Sequence, residues 1–120
     1  MSPTIVLDDG KPFLAVGSPG GSMIITTVLQ ILLDRLDLGL TLPQAIADSR
    51  ASQRNTTTTF AEPAFISSPE AAALQARGHS FTSTAEIGAA TGIEFLPGGG
   101  VLAVAEPTRR GGGSAMVESP

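Results

Sequence analysis

The sequence predicts a mixed α/β fold built in layers, and three features of its first third support this prediction. Two apolar runs, residues 4–7 and 13–16, flank an Asp-Gly turn and predict a β-hairpin. Both runs are nearly continuous in apolar residues, which is typical of strands buried on both faces. Residues 23–36 form a helical run that is apolar around most of its circumference, so we expect this helix to be buried from several sides.

The remaining elements are short helices and short strands. Thr41 and Gln44 have the spacing of a capping box and predict the start of a second helix. Ser68 and Pro69 predict the start of a third helix, which Gly78 ends. We expect two or three helices and about five or six short strands in all, a number that fits ordinary connection lengths. The later strands are predicted at residues 56–61, 79–84, 93–96 and 101–105.

A glycine-rich corner, residues 17–22 (Gly-Ser-Pro-Gly-Gly-Ser), joins the second strand to the first helix. Glycine permits backbone angles that other residues avoid, and Pro19 stiffens the turn. The first N–H groups of a helix have no partner inside the helix, and the helix dipole makes them partly positive. The corner therefore predicts a cradle for an anion, or for an oxyanion that forms during a reaction. Glycine-rich turns before helices usually only join two elements, so a plain connection is the other interpretation.

Several classes of function are excluded by motif and composition. The corner lacks the Gly-Lys-Ser/Thr ending of a P-loop and the G-x-G-x-x-G spacing of a dinucleotide site. The 120-residue chain has a formal net charge of −4, which does not favour nucleic acid as a partner. With no cysteine and one histidine, it predicts no disulfide, thiolate chemistry or metal cluster. Residues 1–20 show no signal peptide, and residues 23–33 are too short to span a bilayer, which takes ~20 residues.

The other polar residues offer little catalytic chemistry. Nothing beside His79 supplies the charged partner that a catalytic histidine needs, so we interpret it as solvated. Asp8 and Asp9 are interpreted as turn residues. Arg109 and Arg110 are interpreted as part of a solvated tail. No serine or threonine has a visible base beside it, so the residues by themselves predict an anion or oxyanion cradle without a nucleophile.

Three blocks resemble the small subunit of gamma-glutamyltranspeptidases: residues 1–6 (Met-Ser-Pro-Thr-Ile-Val), the glycine corner, and residues 24–30 (Ile-Ile-Thr-Thr-Val-Leu-Gln). The resemblance implies the C-terminal portion of that subunit. It also implies an incomplete part of the four-layer αββα sandwich of N-terminal-nucleophile hydrolases. Under this interpretation residues 1–107 form the domain and residues 108–120 form a flexible tail.

The resemblance also implies an activity. In that family a precursor cuts itself into a large and a small subunit, and the new N-terminal threonine attacks a gamma-glutamyl amide such as glutathione. The gamma-glutamyl group then passes to water or to an amino acid. Gly20 and Gly21 match the family's paired glycines, whose backbone amides form the oxyanion hole and contact the substrate. No cofactor and no metal are implied.

Departures from the family pattern shape what we expect of this chain. The family's nucleophilic threonine, two substrate-binding serines and an acidic residue lie upstream of the Met-Ser-Pro-Thr block, and a substrate-binding arginine lies in the large subunit. The isolated chain is therefore expected to be inactive, with the rest of the small subunit and the large subunit as partners. Ala-Glu-Pro-Thr at residues 105–108 replaces the more usual Asp-Pro-Arg, so no role is carried over there.

Alternatives of another class stay open at this point. One is a non-catalytic remnant that acts as an interaction or assembly partner. Another is a small stand-alone anion binder, which is disfavoured because no side chains cluster to select a ligand. Family members are often exported, but the sequence leaves the compartment open. Because the apolar helix and strands need neighbours, we also expect the isolated chain to self-associate.

Overall fold

The computed structural model describes residues 2–118, so Met1 of the first block and the last two residues of the predicted tail lie outside the described residues. The chain divides into two compact units, the first formed by Met1–Asp48 with Gly88–Pro120 and the second by Ser49–Ile87. The elements in chain order are β1 (Thr4–Asp8), β2 (Lys11–Gly17), α1 (Ile24–Leu36), α2 (Leu42–Ala47), β3 (Ala51–Ser52), β4 (Thr59–Ala61), α3 (Pro63–Ile66), α4 (Pro69–Ala76), β5 (Phe81–Ser83), β6 (Thr91–Phe95) and β7 (Val101–Ala105).

The first unit contains an antiparallel sheet with the strand order β1-β2-β6-β7. Asp9 and Gly10 connect β1 to β2 with φ angles of 49° and 75°. Two successive left-handed residues are what a type I′ hairpin turn needs, and its twist matches that of the strands. The predicted hairpin is confirmed, and the pairing of β2 with β6 brings the chain after Gly88 next to the glycine corner.

One face of this sheet packs against α1 and α2. Leu14 of β2, Ile31 of α1 and Leu42 of α2 have no exposed surface and lie in one buried apolar cluster. At roughly 1.5–3 kcal/mol for each fully buried aliphatic side chain, such a cluster holds both helices on the sheet. The other buried members are Val16, Ile24, Val28, Ala45, Ile46 and Ala90.

The opposite face of the sheet is largely open. Ile5, Ala15, Ile93 and Ala103 pair across the four strands and form one row, which we call the outer sheet face. Ile5 is 67% exposed and Ile93 is 42% exposed. A broad groove of about 630 Å³ lies along this row. The prediction that both early strands are buried on both faces is wrong for this chain, because apolar patterning reports a need for burial without identifying what supplies it.

Helix α1 also has an open apolar side. Val28 and Ile31 are buried, whereas Ile25, Leu29 and Leu33 are 69%, 52% and 44% exposed. The exposed residues are spaced four apart and therefore lie on one side of the helix, which we call the outer stripe of α1. The predicted extent of this helix is confirmed to within one residue. The expected burial from several sides is not met by the residues of this chain.

A charged pair fixes the end of α1 on the sheet. Arg35 donates two hydrogen bonds to the buried carboxylate of Glu94 in β6, from Nε at 3.0 Å and from Nη2 at 2.6 Å. The hydrogen bonds to Glu94, together with the attraction of its charge, raise the pKa of Arg35. The Arg35 guanidinium also lies 5.2 Å from the ring centroid of Phe13, a cation–π distance. Glu94 is thereby satisfied on the covered face of the sheet.

The predicted helix starts are confirmed by their caps. The Thr41 hydroxyl accepts a hydrogen bond from the Gln44 N–H, and the Gln44 side chain accepts one from the Thr41 N–H. This reciprocal pair is the predicted capping box. At α4, the Ser68 hydroxyl accepts a hydrogen bond from the Ala71 N–H at 3.2 Å, with Pro69 in the first turn.

The second unit is a small three-stranded sheet with the order β3-β4-β5. Strand β4 pairs antiparallel with β3 and parallel with β5, and α3 and α4 form the connection between the parallel strands. Strand β3 has two residues and α3 has four, so neither is long enough to show a period in the sequence. Both elements were missed by the sequence-based prediction.

A buried carboxylate organises the second unit. The Glu62 side chain accepts hydrogen bonds from the N–H of Arg50 at 3.0 Å and from the N–H of Ile87 at 2.8 Å. Arg50 is 1% exposed, and its Nη1 donates to the Ile87 carbonyl at 2.7 Å. These contacts give hydrogen-bond partners to the backbone N–H groups of Arg50 and Ile87 at the two ends of this unit, outside its strands.

Among residues 2–118, no helix is long and apolar enough to cross a membrane.

The two open apolar surfaces lead to a first prediction: the isolated chain self-associates. Ile93→Glu on the outer sheet face and Leu29→Glu on the outer stripe of α1 should each lower the average mass of the sedimenting species. The reason is that burying the new charge in an apolar contact between chains costs free energy. Sedimentation velocity across a wide concentration range is the measurement, with Thr57→Glu at an exposed loop position as the control. A monomeric chain with a sharp, concentration-independent melt would contradict this prediction.

Candidate active site

The glycine corner turns the chain from β2 into α1. Strand β2 ends at Gly17, and a 3-10 turn, Gly21–Met23, leads into α1 at Ile24. Gly20 has φ 133° and Gly21 has φ 63°, and L side chains rarely adopt either value. Within the described chain, no side chain caps the 3-10 turn or the start of α1. The corner therefore presents backbone N–H groups that lack a side-chain acceptor at the positive end of the helix dipole.

Ser18 anchors the corner from inside. Its side chain is 2% exposed, and its Oγ donates a hydrogen bond to the Pro19 carbonyl at 2.8 Å. The same oxygen accepts a hydrogen bond from the N–H of Ala89 at 3.1 Å. The corner is thus tied to the segment that leads into β6. Because Ser18 donates to a carbonyl, its hydroxyl is oriented as a structural group in this structure.

Gly88 lies where three segments meet. A Cβ on Gly88 would lie 2.6 Å from Thr27 Oγ1 in α1 and 2.9 Å from Ser18 Oγ, which is closer than real Cβ contacts allow. The Gly88 Cα lies 3.5 Å from the position that a Cβ on Gly20 would occupy. Gly88 also has φ 68°, in the left-handed region. The contacts around the corner therefore leave room for glycine alone at residue 88.

A buried ion pair holds the chain after β7. Glu106 is 3% exposed, and its carboxylate accepts hydrogen bonds from Arg109 Nη1 at 2.9 Å and from the Ala90 N–H at 3.2 Å. Arg109 Nη1 also donates to the Ile46 carbonyl at 3.1 Å, and Nη2 donates to the Asp48 carbonyl. The Arg109 side chain thus satisfies carbonyls at the end of α2.

The interpretation of Arg109 as a solvated tail residue is wrong, because its side chain is only 6% exposed. The reason is a partner distant in sequence: the carbonyls at the end of α2 lie about 60 residues earlier in the chain. The flexibility predicted for residues 108–120 stays a prediction. Arg110 is exposed, and its Nη2 lies 3.5 Å from the position of a Cβ on Gly20.

The other residues considered as candidates are not brought into a catalytic arrangement. His79 is exposed, as interpreted, and Asp8 and Asp9 lie at the hairpin turn. The Thr4 hydroxyl donates to the Ser2 carbonyl at 3.2 Å, and Ser22 is exposed in the 3-10 turn. The part of the chain that the structure describes contains no group of three His, Cys, Asp or Glu residues that could hold a metal ion.

The role predicted for Gly20 and Gly21 stays a prediction, and the sequence did not indicate the residues that contact this corner. Ser18 stood within the corner, yet its partner Ala89 is 71 residues away. Gly88 gave one available signal, since it is an isolated glycine in a predicted loop. Neither residue type nor spacing indicated that this glycine packs on the corner.

The glycine corner lies within a long match to a known protein family. The sequence profile of the family described as Gamma-glutamyltranspeptidase matches residues 1–116. The chain belongs to the gamma-glutamyltranspeptidase family.

Relatives agree with this membership. The glutathione hydrolase proenzyme of Bacillus subtilis (strain 168) is 34% identical over 113 residues, which cover 92% of this chain and 19% of that protein. The glutathione hydrolase proenzyme of Escherichia coli (strain K12) is 60% identical over 45 residues, which cover 38% of this chain and 8% of that protein. The chain therefore spans about a fifth or less of the length of these curated relatives.

A solved structure agrees as well. The gamma-glutamyltranspeptidase from Pseudomonas nitroreducens complexed with L-DON superposes with a TM-score of 0.84 at 29% identity. The superposition covers 99% of this chain and 62% of that chain. The predicted α/β fold, an incomplete part of the N-terminal-nucleophile hydrolase architecture of gamma-glutamyltranspeptidases, is confirmed.

A second prediction concerns the close fit at Gly88. Gly88→Ala should lower the free energy of unfolding by roughly 1–3 kcal/mol more than Gly39→Ala does, because the added methyl group overpacks against Thr27 and Ser18. Gly39 is a matched control with φ 76° and no atom within 4 Å of its Cβ position. Urea unfolding of both variants at one low protein concentration is the measurement. Equal losses in the two variants would mean that only backbone strain matters at residue 88.

Proposed function

We propose that this chain is the C-terminal portion of a gamma-glutamyltranspeptidase small subunit and that it supplies the oxyanion-hole loop of the enzyme. The observation that carries the proposal is the geometry of the glycine corner. Gly20 and Gly21 have left-handed backbone angles at the start of α1, and no side chain among the described residues caps that start. We assign the family's paired oxyanion-hole glycines to these two positions because the sequence around them resembles the family.

The proposed reaction is acyl transfer from a gamma-glutamyl amide. A threonine nucleophile on the small-subunit segment that precedes this portion attacks the gamma-carbonyl carbon, and the carbonyl oxygen becomes an oxyanion. The N–H groups of Gly20 and Gly21 donate hydrogen bonds to that oxyanion. The oxyanion then re-forms the carbonyl as the amide C–N bond breaks, and the amine leaves with the proton that the threonine hydroxyl gave up. The acyl-enzyme then passes its gamma-glutamyl group to water or to an amino acid.

Preorganisation supports this role for the corner. Donors aimed in advance at the developing charge need no reorganisation during the reaction, which is the main advantage of an oxyanion hole. Ser18 holds the corner through Ala89, and Gly88 packs directly against it. These contacts lie inside the first unit of this chain, so the residues that hold the corner in place belong to the same unit as the corner.

The open apolar surfaces support the proposed partners. The outer sheet face exposes Ile5 and Ile93, and the outer stripe of α1 exposes Ile25 and Leu29. Contiguous exposed apolar surface usually marks an interface. We propose the rest of the small subunit and the large subunit as the chains that cover these surfaces, and a gamma-glutamyl compound such as glutathione as the substrate.

A test of the function is the release of a chromogenic anilide from a gamma-glutamyl anilide. We expect no release by the purified chain, and release once the chain is assembled with the large subunit and the threonine-bearing segment. Inactivity of that assembly would favour the second candidate, a non-catalytic assembly partner. Release by the chain by itself would reveal a nucleophile within it, and Ser18, Ser22 and Thr4 would be the residues to substitute.

A third prediction tests the oxyanion role of the corner in the assembled enzyme. Gly21→Val should reduce turnover by about 10²–10³, the usual loss when one oxyanion donor is removed. The physical reason is that a β-branched residue cannot keep φ 63°, so the N–H turns away from the oxyanion.

The matched control for this prediction is Gly39→Val. Gly39 has φ 76° and, like Gly21, no atom within 4 Å of its Cβ position, but it lies beyond the end of α1. Both variants impose similar backbone strain, so only the loss of the donor should separate them. Wild-type turnover in Gly21→Val would remove the oxyanion assignment, whatever happens in the control.

A further inference from the structure

Arg110 lies beside the glycine corner. Its Nη2 is 3.5 Å from the position that a Cβ on Gly20 would occupy, so the guanidinium lies next to the Gly20 backbone. The residue was interpreted from the sequence as part of a solvated tail, and its side chain is exposed. This proximity places a permanently charged group beside the Gly20 backbone.

The backbone at Arg110 has an unusual conformation. Its φ of 54° and ψ of 34° place a non-glycine residue in the left-handed region, within the 3-10 turn Arg109–Gly111. Such a conformation persists only when its surroundings determine it, and an observed case of this kind is a reason to look for function.

The surroundings of Arg110 are well determined. On one side, Arg109 is fixed by Glu106 and by carbonyls at the end of α2. On the other side, the Gly112 N–H donates to the Arg109 carbonyl at 3.0 Å, and the Gly113 N–H donates to the Glu106 carbonyl at 2.8 Å. The tail is therefore held on both sides of Arg110, and the turn between them places its side chain on the corner.

We propose that Arg110 is a positioning residue of the transferase reaction, whose charge raises the positive potential at the Gly20 and Gly21 amides and favours the oxyanion. The inference rests on the proposed function of the corner. The substrate carbonyl is neutral before attack and carries a full negative charge afterwards. A nearby cation therefore stabilises the transition state more than the bound substrate, so the effect falls on kcat.

The alternative role for an exposed arginine is to bind the carboxylate of a gamma-glutamyl substrate. That contact exists before and after attack and would change KM with kcat preserved. The division of the effect between kcat and KM therefore separates the two roles.

Three variants of the assembled enzyme test the proposal. Arg110→Gly removes the charge and suits φ 54°, and Arg110→Gln removes the charge but keeps the strained conformation. Arg110→Lys keeps the charge. We expect both neutral variants to lose roughly tenfold in kcat with KM changed by less than about twofold, whereas the lysine variant keeps most of its kcat. Arg77→Gln, at another exposed arginine, is the control.

A second readout distinguishes charge from structure. A boronic acid analogue of the substrate forms a tetrahedral anion, so its affinity should fall in the neutral variants by about the same factor as kcat. A tail that is merely disrupted would lower the melting temperature and would not be rescued by lysine. High salt should also reduce kcat of the wild-type enzyme more than kcat of Arg110→Gly, because salt screens an exposed charge.

The proposal is overturned if both neutral variants keep wild-type kcat, if only KM changes, or if Arg110→Lys is as impaired as Arg110→Gln. Gly21→Val is measured in parallel. If Gly21→Val is impaired while the Arg110 variants are not, the role of Arg110 fails and the function of the corner stands. If Gly21→Val is also unimpaired, the oxyanion role of the corner fails, and this inference fails with it.

Discussion

The close approach of three backbone segments at Gly88 is the constraint on which the glycine corner depends. Thr27 of α1 and Ser18 of the corner approach residue 88 so closely that any Cβ there would overlap them. The start of β6 can therefore lie against the corner only through a glycine. Because β6 then pairs with β2, the contact at Gly88 and the β2–β6 pairing both hold the chain before β6 beside the corner.

Buried polar groups, rather than apolar packing, determine the path of the chain after β7. Glu106 and Arg109 together meet the N–H of Ala90 and the carbonyls at the end of α2. A buried ion pair of this kind gives little net stability against an apolar replacement, because both charges must be desolvated. Its consequence here is geometric: the chain after β7 follows one path, and that path takes Arg110 to the corner.

The elements that the sequence predicted are those governed by neighbouring residues. The type I′ turn at Asp9 and Gly10, the capping box at Thr41 and the extent of α1 all follow from local rules. Ser18 and Arg109 could not be assigned in this way, because Ala89 and the carbonyls at the end of α2, which they contact, lie about 60 to 70 residues away in the sequence. The role of Gly20 and Gly21 is a prediction from family resemblance and helix-start chemistry, whereas the residues that pack against them are visible only in the fold.

The wrong prediction about the burial of the early strands and of α1 indicates where other chains would bind. The apolar patterns of the strands and of α1 predicted burial on more than one side, and the described residues bury each of them on one side. The glycine corner connects β2 to α1, and these are two of the elements with open apolar surfaces. If partner chains cover the outer sheet face and the outer stripe of α1, each side chain gains the part of the roughly 1.5–3 kcal/mol of full burial that it now lacks, since these side chains are only partly exposed. Assembly would then restrain both ends of the corner, so the preorganisation of this proposed oxyanion loop would be coupled to the association of the chains.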